Sequence, residues 1–383
     1  MIFFQNRNIT NVNSNMFQTS SLPQDFIFVK LLSKKRYWDV NIYKKGDEEY
    51  IVKRYFWDDL FSKEMINEIT VYLEKIPFVA TCENIYFDLQ TNQCFIVLKN
   101  DGVELSDFIF KNENRKYCEE IISKINVALQ HFHSSGWVHC DLKMENILVK
   151  IQDGNIEIKF IDFGLSIKEK CLVVDQSIFQ TPYITAPEIE TYTNFKISKK
   201  IDYWSFGVII FFMTNGIQIE DFYSSRDKDF DVYFDLIYSQ GIKNTKEPMK
   251  TYCKYLLQKN PEERQLFDIQ CIEKNIKSDF DYEDFFVKKG GRKDVILTIA
   301  EWIKEVLEDN QCMNKSLHQY ILQDFVKYYN CKLVKLNKVQ CLAICTVYLY
   351  LDHVDEDYMI YICDNSYNIE DIRNMFLYVF SQM

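Results

Sequence analysis

Two short segments in the middle of the chain gather side chains that could act together on one substrate. His139-Cys140-Asp141-Leu142-Lys143-Met144-Glu145-Asn146 sets a carboxylate, an ammonium and a carboxamide close together, and Ile161-Asp162-Phe163-Gly164 adds a second carboxylate before a glycine. A carboxylate beside a lysine can accept a hydrogen bond from a hydroxyl while the ammonium offsets nearby negative charge. The carboxamide and the second carboxylate are hard oxygen donors. Each piece alone says little, because Asp-Phe-Gly by itself is a turn and His-x-Asp recurs by chance. Their order along one chain carries the information.

In that order they resemble the catalytic loop and metal-binding motif of eukaryotic-type protein kinases, over roughly residues 26–275. The resemblance implies a two-lobed α+β kinase fold, ATP as phosphoryl donor with Mg²⁺, and a protein substrate. It assigns Asp141 to orient the substrate hydroxyl, Lys143 to offset charge on the moving phosphoryl group, and Asn146 and Asp162 to the metal. A lysine at 143 points to serine/threonine specificity. Lys53 in Tyr50-Ile51-Val52-Lys53 takes the place of the strand lysine that contacts the α- and β-phosphates, with Glu68 as its ion-pair partner. Leu32, Val40, Leu98 and Leu148 fall where the nucleotide site is lined, Leu98 as gatekeeper, and Lys99-Asn100-Asp101 forms the hinge. Downstream, Thr181-Pro182-Tyr183-Ile184-Thr185-Ala186-Pro187-Glu188 matches the end of an activation segment. Glu188 is expected to pair with Arg264, and Asp202 to hold the catalytic-loop backbone.

Three departures matter. Aligned on Leu32 and Val40, the three glycines of the phosphate-covering loop fall on Ser33, Lys35 and Trp38. Glycine serves there because the backbone must approach the phosphates without a side chain in the way. Ile51 replaces the small residue above the adenine ring, tightening that pocket. Cys140 replaces the arginine that in many kinases binds an activation-loop phosphate, which implies activity without phosphorylation of Ser177 or a neighbour. The complete set Lys53, Glu68, Asp141, Lys143, Asn146 and Asp162 favours an enzyme. The lost glycines favour its rival, a pseudokinase scaffold that binds protein partners through the same fold.

These residues need elements to position them. Residues 1–24 read as a flexible polar tail, 25–278 as the kinase domain, with lobes at about 25–98 and 101–278, and 279–292 as a linker. Runs at 40–43, 50–53 and 95–98 are strand-like, whereas 61–76 is an amphipathic helix with Met65, Ile69, Tyr72 and Leu73 on one face. Ile121, Ile125, Leu129 and Phe132 mark a core helix, and 204–215 and 249–258 are further helices.

Residues 293–383 read as an all-α module with helices at 295–307, 317–329, 336–349, 355–363 and 369–380. Ile299-Ala300-Glu301-Trp302-Ile303-Lys304-Glu305-Val306 and Tyr361-Ile362-Cys363-Asp364-Asn365-Ser366-Tyr367-Asn368 resemble the first and last helices of a cyclin box. The lysine and glutamate by which kinase-activating cyclins grip a partner appear here as Val347 and Phe376. That implies intramolecular docking on the helix at 61–76, fixing the Lys53–Glu68 pair, rather than action on a partner kinase.

Composition narrows the classes. The 383 residues are 47% hydrophobic and 26% charged, with a formal net charge of −11, unlike an extended nucleic-acid surface. No apolar run approaches the roughly 20 residues needed to cross a bilayer. The 12 cysteines form no C-x-x-C pair and only five histidines are present, so free thiols fit better than a zinc site. Without basic and apolar blocks of a signal peptide near Met1, a cytoplasmic or nuclear location is expected. The bias toward Asn, Lys, Ile, Tyr and Phe suits an AT-rich genome, such as that of a large DNA virus acting in its host cell or of a protist.

Overall fold

The computed structural model describes residues 16–58, 61–169, 172–173, 181, 184–191, 195–215, 242, 245–266, 286–309, 315–329, 334, 338–351 and 366–383. The β-branched and aromatic residues of the first hundred positions pair into a six-stranded sheet. Its strands are β1 (Phe17–Gln18), β2 (Ile27–Lys34), β3 (Trp38–Lys45), β4 (Glu48–Phe56), β5 (Cys82–Asp88) and β6 (Gln93–Lys99), in the order β1-β5-β6-β4-β3-β2. The two-residue period of β4 decides what reaches the site. Val52 faces outward and joins Phe26, Tyr86, Phe95 and Val97, while Arg54 pairs with buried Asp39. Lys53 and Tyr55 therefore point inward. Residues 16–24 do not behave as the expected tail: β1 runs parallel to β5, and the Ser21 hydroxyl donates to Asp88 at 2.6 Å.

Between β4 and β5 lies helix α1 (Lys63–Leu73), whose first turn is capped by Ser62 accepting the Met65 N–H at 3.2 Å. The expected stripe of Met65, Ile69, Tyr72 and Leu73 is buried, but so is every residue from Met65 to Leu73. A second surface covers the face that amphipathicity would leave wet.

The chain leaves the sheet through Gly102, which adopts φ +137° where a Cβ would lie 2.4 Å from the Val149 carbonyl oxygen. A short sheet follows from β7 (Val103–Glu104), β9 (Ile147–Gln152) and β10 (Asn155–Phe160), and β8 (Trp137–Val138) pairs with β11 (Ile167–Lys168). Around them stand α2 (Leu105–Ile109), α3 (Cys118–Ser134), α4 (Pro187–Thr191), α5 (Lys200–Asn215) and α6 (Met249–Leu256). Ile121, Ile125, Leu129 and Phe132 of α3 are buried as the spacing predicts.

The described C-terminal helices are α7 (Lys293–Asp309), α8 (Lys315–Tyr328), α9 (Val339–Tyr348) and α10 (Ile369–Gln382). The helix expected at 355–363 lies outside the described residues, as do 1–15, Ser177, Pro182, Tyr183 and 279–285 of the expected linker. The rest of that linker is not a spacer, because Phe286 is fully buried with its ring 4.4 Å from Tyr329 and 5.9 Å from Phe325. These helices supply the cover for α1. Phe380 of α10 stacks on Phe87 of β5 at 6.1 Å, and Phe61 and Trp57 extend the aromatic cluster. At the start of α1, the Lys63 ammonium donates to the Tyr348 carbonyl at 2.6 Å and lies 5.0 Å from that tyrosine's ring.

Candidate active site

Asp202, near the start of α5, fixes the catalytic loop. Its fully buried carboxylate accepts the backbone N–H of His139 at 2.7 Å and of Cys140 at 2.9 Å, and contacts His133 Nε2 at 2.8 Å. Cys140 adopts φ +65°, an uncommon conformation for a side-chain-bearing residue that persists only where the surroundings dictate it. Its buried thiol is a small packed group, donating weakly to the Val138 carbonyl at 3.6 Å. The next residue is Asp141, 6% exposed. Lys143 Nζ donates to Asp141 Oδ2 at 2.8 Å and to Thr181 Oγ1 at 3.1 Å. Asn146 Nδ2 donates to the same carboxylate at 3.0 Å and to the Asp141 carbonyl at 2.8 Å. Asp141 is thus held at both ends.

From the other lobe, Lys53 reaches Glu68 of α1 at 2.6 Å and Asp162 at 2.7 Å. Burial by itself would lower the Lys53 pKa, but Asp162 and Glu68 reverse this and hold it well above the usual lysine range. Burial raises the Glu68 carboxyl against the pull of Lys53, whereas Asp162, also pushed up by burial, is brought below its ordinary value by the Lys53 charge and hydrogen bond. Tyr55 donates its hydroxyl to Glu68; burial and that carboxylate keep the phenol protonated. Asp162 also has positive φ, +63°, and Phe163 behind it packs between Tyr72 of α1 and His139 of the loop, at 5.4 and 5.3 Å. Asn67 of α1 donates to the Gly164 carbonyl at 3.2 Å. The position of α1 and that of Asp162 are therefore coupled.

The oxygen donors fit magnesium. Asn146 turns its amide nitrogen to Asp141, leaving Oδ1 as an acceptor, and Asp162 gives one oxygen to Lys53 and keeps another. Magnesium takes one or two protein oxygens and completes its shell with water and phosphate. Among the described residues no group of three His, Cys, Asp or Glu gathers into a self-sufficient metal cage.

Arg264 and Glu188 meet in the expected pair, two parallel bonds of 2.7 Å each, with Arg264 fully buried over Trp204. The residues expected to line a nucleotide divide. Leu98 is buried, Val40 and Leu148 are half-buried, and Ile51 pairs with Leu98 across β4 and β6. Leu32, by contrast, is 48% exposed where the β2–β3 register slips between Leu31 and Ser33. Asn100 is exposed on an open polar cavity of about 340 Å³ shared with Lys99, Asp101 and Lys150.

Several contacts were not read from sequence. Tyr55 could have been, since it lies two positions after Lys53 on the same strand face. Glu74, at the end of α1, holds Lys168 at 2.8 Å and the Trp137 indole at 3.0 Å, and no motif marks it. The Trp38 indole lies over the Lys53 ammonium at 4.8 Å, with Lys35 at 5.0 Å from the same ring.

Comparison with known proteins agrees with this geometry. Residues 41–274 match the family model described as protein kinase domain, more than half of the chain. Calcium-dependent protein kinase 5 of Plasmodium falciparum is 27% identical over 279 residues, covering 70% of this chain and 42% of that protein. Serine/threonine-protein kinase D2 of Rattus norvegicus is 34% identical over 128 residues, covering 32% of this chain and 14% of that protein. This chain therefore spans less than half the length of these relatives. Among solved structures, titin kinase and its flanking domains superimposes with a TM-score of 0.52 at 16% identity, covering 66% of this chain and 47% of that one, a likeness of fold.

Proposed function

The chain belongs to the protein kinase family, and on that premise we propose that it transfers the γ-phosphate of Mg-ATP to serine or threonine hydroxyls of protein substrates. One observation carries the reading: Lys53 is bound at once to Glu68 and Asp162, at 2.6 and 2.7 Å. The hydroxyl oxygen bonds to the γ-phosphorus as the bond to the β–γ bridging oxygen breaks, its proton passes to Asp141, and ADP leaves. Lys143 and Lys53 place positive charge against the phosphate oxygens. Asn146 and Asp162 are the residues to hold Mg²⁺, which when bound supplies further positive charge there.

The C-terminal helices enter as a built-in activator of cyclin-box type. What supports this is their cover of α1, the helix that carries Glu68 to Lys53. A second reading, the non-catalytic scaffold, is favoured by the Trp38 ring over Lys53.

The deciding experiment is transfer of labelled γ-phosphate to generic protein substrates by wild type, Asp141→Asn and Lys63→Ala. Asp141→Asn should reduce transfer by at least about 100-fold. Lys63→Ala loses the link to Tyr348 and should reduce it about fivefold, the worth of one hydrogen bond. Folded wild type with no transfer above Asp141→Asn would leave the scaffold standing.

A further inference from the structure

We propose that Trp38 is a specificity-determining gate, a side chain that sets how readily a polyphosphate, rather than a bare nucleoside, reaches Lys53. The inference rests on the reading of Lys53 as a phosphate contact. Two carboxylates and two aromatic rings box in the Lys53 ammonium: Glu68 at 2.6 Å, Asp162 at 2.7 Å, Trp38 at 4.8 Å and Tyr55 at 5.2 Å. Three of these four walls are fixed by partners within the site. Glu68 and Tyr55 are bonded to each other and buried, and Asp162 sits in front of the packed Phe163.

Trp38, packed at the edge of the core and paired with Tyr55 of β4, is the wall carried on the outermost hairpin of the sheet. It opens β3 immediately after the hairpin turn, where the Lys35 N–H donates to the Trp38 carbonyl at 2.8 Å, and its partner strand β2 is exposed along its whole length. An anion approaching Lys53 gains no donor from Glu68, and gains one on the Asp162 side only through a bound cation, so an approach past the hairpin displaces the indole and forfeits a cation–π contact. The same movement frees Lys35, which shares that ring. A glycine at position 38 would impose no such penalty. The gate acts on phosphate oxygens and leaves the nucleoside alone.

The test measures calorimetric binding of Mg-ATP and of adenosine to full-length wild type, Trp38→Ala and Trp38→Phe. Trp38→Ala should bind Mg-ATP roughly 3- to 30-fold more tightly, the span of an exposed to a desolvated cation–π contact, with adenosine affinity within about twofold of wild type. Trp38→Phe, which keeps a ring of weaker pull, should fall between, and it decides the matter if the alanine protein does not fold. Unchanged or weaker Mg-ATP binding with normal adenosine binding would overturn the gate while leaving the kinase reading intact. Equal gains for both ligands would also overturn it, placing Trp38 in the adenine pocket. If no form binds Mg-ATP, the nucleotide reading fails and the gate with it.

Discussion

The catalytic loop and the β2–β3 hairpin approach the Lys53–Asp162 contact from different lobes, and they are built in opposite ways. In the loop, His139, Asp141 and Asn146 are all buried and the backbone is fixed by Asp202. In the hairpin, all eight residues of β2 are exposed, and one half-buried tryptophan makes the contact with the site. Under the proposed phosphotransfer, the difference follows from the task. Holding a carboxylate against a hydroxyl in one orientation demands particular donors at particular places, and those donors in turn need fixed partners. Covering a phosphate can be done with backbone amides or with side chains, so the hairpin admits more than one solution.

The comparison breaks most visibly at its ion pairs. Arg264→Ala leaves the Glu188 carboxylate buried without its partner and should destabilise the protein by about 3–5 kcal/mol. Lys44→Ala removes an exposed pair with Glu49, 3.5 Å apart at the far end of β3, and should change stability by less than about 1 kcal/mol. Urea denaturation of both variants checks the contrast; similar losses would mean that a buried pair beneath the helical lobe and an exposed pair on the hairpin's strand are equally constrained.

A smaller effect isolates the loop. Asp202→Asn keeps the shape of the side chain but turns a donor toward at least one of the N–H groups of His139 and Cys140. Leaving one buried donor unpaired should cost about 1–3 kcal/mol. Phosphotransfer should fall about 100-fold as Asp141 loses its placement, with the KM for ATP nearly unchanged. Transfer within a few-fold of wild type would show that the loop holds its shape without this carboxylate.

What could be read in advance follows the same division. Lys53, Glu68, Asp141, Lys143, Asn146 and Asp162 stood out because each must be one residue type at one spacing, and the structure brings Lys53, Glu68 and Asp162 into one cluster and Asp141, Lys143 and Asn146 into another. Helix α1 was legible as a helix but not as a buried one. The cover on its second face includes Tyr348, 285 positions from Lys63, and a periodicity read within one segment carries no trace of so distant a partner. Leu32 is exposed for a related reason, because a register slip inside a strand shifts side chains between faces without changing composition. The position of the Trp38 ring depends on that same hairpin geometry.

The hairpin's own constraint is against association, and it predicts the smallest change in stability. Ile27, Phe28, Val29, Leu31 and Leu32 are between 43% and 65% exposed on the outermost strand of the sheet. Such an edge invites pairing with another chain unless something opposes it. Lys30 and Lys34 interrupt the apolar run, and the register slips between Phe28 and Lys30 and between Leu31 and Ser33 bend the strand away from a flat template. Lys30→Val removes a charge that has no structural work in the monomer, so its unfolding free energy should stay within about 0.5 kcal/mol of wild type. Light scattering should nonetheless show concentration-dependent association at protein concentrations where the wild type gives none. If Lys30→Val scatters no more than wild type, the bends alone protect the edge, and the exposed residues of β2 are free of any demand beyond the twist of the strand. That outcome would widen the contrast with the catalytic loop.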